Sequence, residues 1–274
     1  MTINNLFDLT GKVAVITGAG GILGPKHAEA IIEYGGVAVL TDSHEDRAAA
    51  KAKILNEKYG EGSALSFYMD VTKKDTIEKV AASLKKVDIL INNAAKDPKV
   101  EDGKGMTPSS RFETMTEEFW QEGISAALHG TFLCSQVFGN KMLETGGGTI
   151  VNIASCLANI APDQRIYRQE GIEENMQNVK PITYVASKWA VVGMTKYLAT
   201  YFGTRNIRVN SLSPTGVWND KIPDFMVERI ASLNPMNRMA HIDEYKGAIV
   251  FLCSDASSYM TGTNMIVDGG KTSW

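Results

Sequence analysis

VAVITGAGGILG, residues 13–24, passes from a short apolar run into a cluster of four glycines and then into a helical pattern. Gly18, Gly20, Gly21 and Gly24 permit a tight turn, and glycine lacks the Cβ that would keep a diphosphate at a distance. Ile22 and Leu23 complete that turn. The helix behind it offers free N–H groups and the positive end of its dipole to an anion. A glycine cluster alone says little; its place between a strand and a helix, in the first βα unit, gives it meaning. The next apolar run ends VLTD at Asp42, with Ser43 and His44 beside it. A carboxylate there accepts both ribose hydroxyls of an adenosine and repels a 2′-phosphate. With no Arg or Lys directly beside it, the expected cofactor is NAD rather than NADP. A plain helix N-cap or turn role is the alternative for Asp42, and the glycine turn favours the ribose.

Working outward, β-branched runs alternate with helical stretches. Strands are expected at 13–17, 37–42, 64–70, 88–94, 148–155, 207–213 and 264–270. Several are apolar throughout, as in strands covered on both faces of a parallel sheet. Helices are expected near 23–35, 45–59, 73–85, 116–144, 183–203 and 241–253, the last opened by His241 or Asp243. Repeated βα units of this spacing predict a doubly wound parallel sheet in three α/β/α layers. No Pro/Gly/Ser-rich linker divides the 274 residues, so one domain is expected.

Composition narrows the function. A net charge of −3 argues against nucleic acid or an anionic membrane as the main partner. There is no apolar run of membrane-spanning length and no signal-peptide pattern at the start. Cys134, Cys156 and Cys253 read as reduced thiols, which together predicts a cytoplasmic protein. Four histidines without ligand spacing predict no metal.

Two stretches break the rhythm, 96–115 and 157–182. Both follow the carboxyl ends of expected strands, where open α/β sheets bind ligands, and long irregular segments there read as lids or as surface excursions. In the second, Arg165 and Arg168 either face a substrate anion or form a solvated loop.

TYVASKWA, residues 183–190, carries Tyr184 and Lys188 one helical turn apart amid small residues. Both side chains then point to one place. An ordinary phenol titrates near ~10, too high for proton exchange at neutral pH, and a nearby ammonium favours the phenolate.

With TGAGGILG, NNAA (92–95), NIAS (152–155), the Tyr184-x-x-x-Lys188 pair, RVNSLSPTGV (208–217) and TGTNMIVDGG (261–270) in this order, the chain resembles the short-chain dehydrogenase/reductase family over nearly its whole length. The resemblance implies hydride transfer between a nicotinamide and an alcohol or carbonyl, commonly in a homotetramer, with a homodimer as the smaller form. It implies Tyr184 as general acid/base, Lys188 as ribose ligand and phenol activator, and Ser155 as partner of the substrate oxygen. Asp70 and Val71 would contact adenine, Asn93 and Ala94 the cofactor groove, and Pro214, Gly216 and Val217 the carboxamide end. Members with such an insertion and an SSYMTG ending are tied to bacterial amino-sugar or sialic-acid-like sugar pathways, which makes a sugar derivative the expected substrate.

The pattern departs in places. The glycines are spaced G-x-x-G-x-x-G, with Ile22 in a usual glycine position. Thr215 and Ala95 stand where the family usually has glycine. Ala127 stands where family members place an asparagine that holds a proton-relay water, and its side chain cannot hydrogen-bond. The relay is then weakened, rerouted through Ser125 or His129, or lost, and activity is reduced. Two other readings follow: an NAD-binding protein with impaired catalysis, and a sugar-nucleotide epimerase or dehydratase with tightly held NAD.

Overall fold

The computed structural model describes residues 2–96 and 110–274. Of the irregular stretch 96–115, residues 97–109 lie outside the described residues. The seven strands are β1 (Val13–Thr17), β2 (Val37–Asp42), β3 (Ala64–Tyr68), β4 (Ile89–Asn92), β5 (Gly148–Ile153), β6 (Ile207–Pro214) and β7 (Asn264–Val267). They form one sheet in the order β3-β2-β1-β4-β5-β6-β7, and each neighbouring pair is parallel. The order reverses between β1 and β4, which opens a crevice at the carboxyl edge of the sheet.

The alternation along each strand decides which layer a side chain enters. Ala14 and Ile16 of β1, Ile89 and Ile91 of β4, and Val151 and Ile153 of β5 join one core. It is closed by α2 (Gly24–Glu33), α3 (Glu45–Tyr59) and α9 (Lys246–Cys253), following the short α1 (Ile3–Leu6). Val15, Leu90 and Ile150 point the other way, into a core closed by α4 (Lys74–Ser83), α6 (Gly130–Glu144) and α7 (Ile182–Phe202). The doubly wound three-layer expectation is thus met.

Two departures matter for the site. The helix expected at 116–144 is divided: α5 (Glu117–Ile124) and α6 flank a π-helical turn over Ser125–His129, where the Gly130 N–H reaches the Ser125 carbonyl. Such insertions into a helix frequently mark functional positions. Close contacts grip the helix on either side. A Cβ on Gly123 would lie 2.6 Å from Thr183 of α7, and one on Gly130 would lie 2.6 Å from Val71. The second departure is α8 (Asp224–Ser232), which opens behind Pro223 where no helix was expected. His241, as expected, caps the turn before α9, in a reciprocal capping box with Glu244.

Candidate active site

The glycine turn is built against β2 and the exit of β4. Gly18 has φ +61°, in the left-handed region, and a Cβ there would sit 2.8 Å from the Ala94 Cα. A Cβ on Gly20 would meet Asp42 and Arg47, and one on Gly24 would lie 2.6 Å from the Ala19 Cα. The three glycines thus let the turn pack closely on its neighbours, with the N-terminus of α2 directly behind it. Ile22 is exposed at the turn and Leu23 is the residue before α2.

Asp42 is buried, and its two oxygens accept the N–H groups of Gly20 and His44, each at 3.0 Å. The carboxylate is thus a turn partner in its own right, and it fixes the glycine loop to the end of β2. Ser43 is exposed, with its hydroxyl 3.3 Å from His44 Nδ1. Arg47 of α3 comes near Asp42 in space although four residues separate them.

Asn93 and Ala94 leave β4 to hold the same turn. Both backbone N–H groups donate to the Thr17 hydroxyl, at 3.0 and 2.9 Å, and the Asn93 amide donates to the Thr17 and Gly18 carbonyls. Asn93 is thereby a brace of the groove. Asp70 accepts the N–H and hydroxyl of Thr72 and faces Lys73 at 3.4 Å. Burial alone would raise its pKa, but those hydrogen bonds and the ammonium outweigh it and hold it below the usual range. Val71, buried, packs on Gly130 beside the π turn.

Ser155 and Lys188 lie at the carboxyl edge of β5, with the Tyr184 ring beside Lys188. Ser155 is buried two residues past the strand, and its Oγ accepts the Leu157 N–H at 3.1 Å at the head of a short 3-10 turn. Tyr184 lies in the first turn of α7, where the helix dipole favours negative charge. Lys188 is 4% exposed; its Nζ donates to the Ile153 carbonyl at 2.7 Å and lies 5.6 Å from the centroid of the Tyr184 ring. A buried ammonium needs such partners.

Pro214 ends β6, and Thr215, Gly216 and Val217 follow it into the crevice edge. The Tyr245 hydroxyl both accepts from the Thr215 N–H and donates to the Thr215 carbonyl, each at 3.2 Å. Burial pushes the Tyr245 pKa up, so the phenol stays protonated in that role. The Gly216 carbonyl accepts the Ala240 N–H, and Val217 bridges to Ala240. The Cys156 thiol lies against the Thr215 hydroxyl at 3.8 Å.

Beneath these residues runs a buried polar ladder absent from the sequence reading. Asn92 donates to Ser135 and to Asn152, Asn152 donates to Thr195, and Thr195 donates to the Val191 carbonyl. It joins β4, β5, α6 and α7 in register below the crevice. Asparagines inside otherwise apolar strand runs were its signal.

Ala127 is buried within the π turn, and its carbonyl accepts the Thr131 hydroxyl at 2.6 Å. Ser125 returns its hydroxyl to the Glu122 carbonyl, and His129 is exposed beside Phe132. Ser125 is thus engaged within its own helical turn. In the inserted segment, Arg165 is held by Asp163 and Arg168 by Glu174, so both arginines find their anions within it. No group of three or more metal-ligating side chains occurs among the described residues, and no described helix is long and apolar enough to cross a membrane.

The comparisons with known proteins agree with this architecture. The family model described as "Enoyl-(Acyl carrier protein) reductase" matches residues 18–272. An NAD-dependent glycerol dehydrogenase of Listeria innocua is 36% identical, over 97% of this chain and 96% of its own length. A D-threitol dehydrogenase of Mycolicibacterium smegmatis is 34% identical, over 97% and 95%. A short-chain type dehydrogenase/reductase from Mycobacterium marinum superposes with a TM-score of 0.83 at 31% identity, covering 99% of both chains. A gluconate 5-dehydrogenase from Burkholderia cenocepacia, crystallised with NADP and tartrate, superposes with a TM-score of 0.83 at 25% identity over the full length of both. On this fold, this edge constellation and these matches, the chain belongs to the short-chain dehydrogenase/reductase family.

Proposed function

We propose that the protein is an NAD-dependent dehydrogenase of a polyol or other sugar-derived alcohol, working on the corresponding carbonyl in reverse. One observation carries this reading: the Lys188 ammonium is buried between the Tyr184 ring and the Ile153 carbonyl, two residues from Ser155. The glycine turn fits a dinucleotide, since Gly18, Gly20 and Gly24 let it fold tightly against Ala94, Asp42 and Ala19 with the N-terminus of α2 directly behind it. Gly18, Gly20, Gly21, Ile22, Leu23 and Gly24 would hold the diphosphate, Asp42 with Ser43 the adenosine ribose, and Asp70 and Val71 the adenine. Asn93 and Ala94 would form the groove floor, and Pro214, Gly216 and Val217 the carboxamide end. When bound, the nicotinamide accepts or supplies the hydride. Tyr184 takes the hydroxyl proton of an alcohol, or returns one to a carbonyl oxygen. Ser155 hydrogen-bonds that oxygen, and Lys188 and the α7 dipole stabilise the phenolate. The buried Asp42 carboxylate supports NAD over NADP, because a 2′-phosphate would meet its charge. The glycerol and threitol dehydrogenases, both more than 30% identical, support a polyol substrate.

The same reading takes the segment 157–182 as a fixed cover on the single domain, and the protein as cytoplasmic. Trp189, Tyr197 and Tyr201 of α7 and Phe132 of α6 are exposed, which supports a homotetramer or homodimer that covers them. A second reading, an NAD-binding protein with impaired catalysis, is favoured by Ala127, whose side chain supplies no hydrogen bond in the π turn.

The test is cofactor reduction with a panel of polyols and sugar acids, using NAD and NADP in parallel. Turnover with NAD and a loss of about 10²–10⁴-fold in Tyr184→Phe are expected. NAD binding with no turnover on any alcohol would support the impaired reading instead.

A further inference from the structure

Tyr184 has a second cation at its ring. Lys180, one turn earlier, places its Nζ 3.9 Å from the ring centroid, nearer than the 5.6 Å of Lys188. Lys180 precedes Pro181, whose φ of −67° is set by its own ring and which opens α7. Its backbone is clamped on both sides by one side chain of the inserted segment. The Lys180 N–H donates to Gln164 Oε1 at 2.8 Å, and Gln164 Nε2 donates to the Lys180 carbonyl at 3.1 Å. That segment is itself tied down: the Gln177 amide bonds Gln169 and Ile172, and Arg229 of α8 reaches the carbonyls of Ile166 and Arg168. The half-buried ammonium is therefore presented to the phenol by built structure.

Among the described residues, the charged groups on the elements packed against α7 are engaged elsewhere or exposed. Among the described residues, α5, the π turn, α6, the 3-10 turn at Cys156–Ala158, β5, β6 and the turn at Gly203–Arg205 pack on α7. Among the described residues, Glu117, Glu118 and Glu122 of α5 are exposed, and Glu122 bonds Lys96 at 2.8 Å. His129 is exposed beside Phe132, and Cys156 lies against Thr215. Arg208 of β6 is turned to the Leu252, Ser254 and Met260 carbonyls, and Arg205 stacks on Tyr201 at the far end of α7. A cation over an aromatic face is attracted to the neutral phenol, and more strongly to the phenolate.

We propose that Lys180, aimed by the inserted segment, is a second positioning residue for Tyr184 that stabilises its phenolate from the ring face. This rests on the dehydrogenase reading for its use in turnover, but not for its test. Tyr184 is titrated in the full chain without cofactor or substrate. Subtracting the phenolate absorbance of Tyr184→Phe from that of the wild type isolates this phenol among the nine tyrosines. The same subtraction is made in a Lys180→Met background, with circular dichroism to confirm the fold and Lys180→Gln as a second neutral variant. The midpoint is expected to rise by about one pH unit in either neutral variant and to return most of the way in Lys180→Arg. An unmoved midpoint in the folded neutral variants overturns the proposal. If the midpoint moves while no alcohol is turned over, the Lys180 pairing stands and the dehydrogenase reading falls.

Discussion

Replacing Gly18 by Ala tests whether the glycine turn is fixed by backbone conformation, by its contact with the β4 exit, or by both. Two penalties are separable. A non-glycine residue at φ +61° costs roughly 1–2 kcal/mol. The new Cβ would also lie 2.8 Å from the Ala94 Cα, a backbone atom that cannot rotate away. Relieving that overlap pushes the turn off the Thr17–Asn93–Ala94 hydrogen bonds, at about 1–3 kcal/mol. The sum is about 2–5 kcal/mol, or a melting temperature lower by roughly 5–15 °C. Gly62→Ala is the control: its φ is +83°, with nothing within 4 Å of the added Cβ. It carries the backbone penalty alone, so its melting temperature should fall by only about 3–6 °C. Thermal melts of both variants and fluorescence titration with NADH measure the two effects. The Gly18 variant should also bind the dinucleotide at least about tenfold more weakly, the equivalent of 1.4 kcal/mol. Equal melting losses in the two variants would refute the claim that Ala94 constrains the turn.

Glu29 is buried between α2, α3 and α9, accepting from Lys26, Lys58 and Tyr59 with Lys246 at 3.3 Å. Burial alone would raise its pKa, yet these partners hold it at about 2, against 4.5 when free. A lowered folded pKa contributes stability that is complete above the unfolded value and lost as pH falls from about 4.5 towards 2, about 3 kcal/mol in all. Urea unfolding across that window should show this slope in the wild type and a flatter one in Glu29→Gln; identical slopes would contradict the assignment. Ala127→Asn should raise kcat, by up to about tenfold, with KM unchanged. If kcat stays the same in a folded variant, proton return does not pass through position 127.

Much of this was legible because buried parallel strands are written as apolar runs. β1, β2 and α3 begin and end where the pattern predicts. β4 and β5 are shorter than expected because Asn93 and Ser155 leave the sheet, one to brace the glycine turn and the other to cap a 3-10 turn. The π turn was not legible: it lies between the close approaches of Gly123 to Thr183 and of Gly130 to Val71, contacts remote in sequence. Arg165 and Arg168 kept two readings because their carboxylate partners could be identified only once the segment was folded. Lys180 stands before Tyr184 at the same spacing as Lys188 stands after it. That symmetry was visible, but a residue in an irregular segment has no assigned face until its backbone is fixed.

The strand order has a consequence for how the chain is born. β2 and β3 extend the sheet from one side of β1, and β4 to β7 then extend it from the other, each parallel to its neighbour. A nascent polypeptide leaving the ribosome can therefore add every strand to an edge already in place, without parting any earlier pair. After β3 closes one side, the growing edge moves outward on the other with each strand made from β4 to β7.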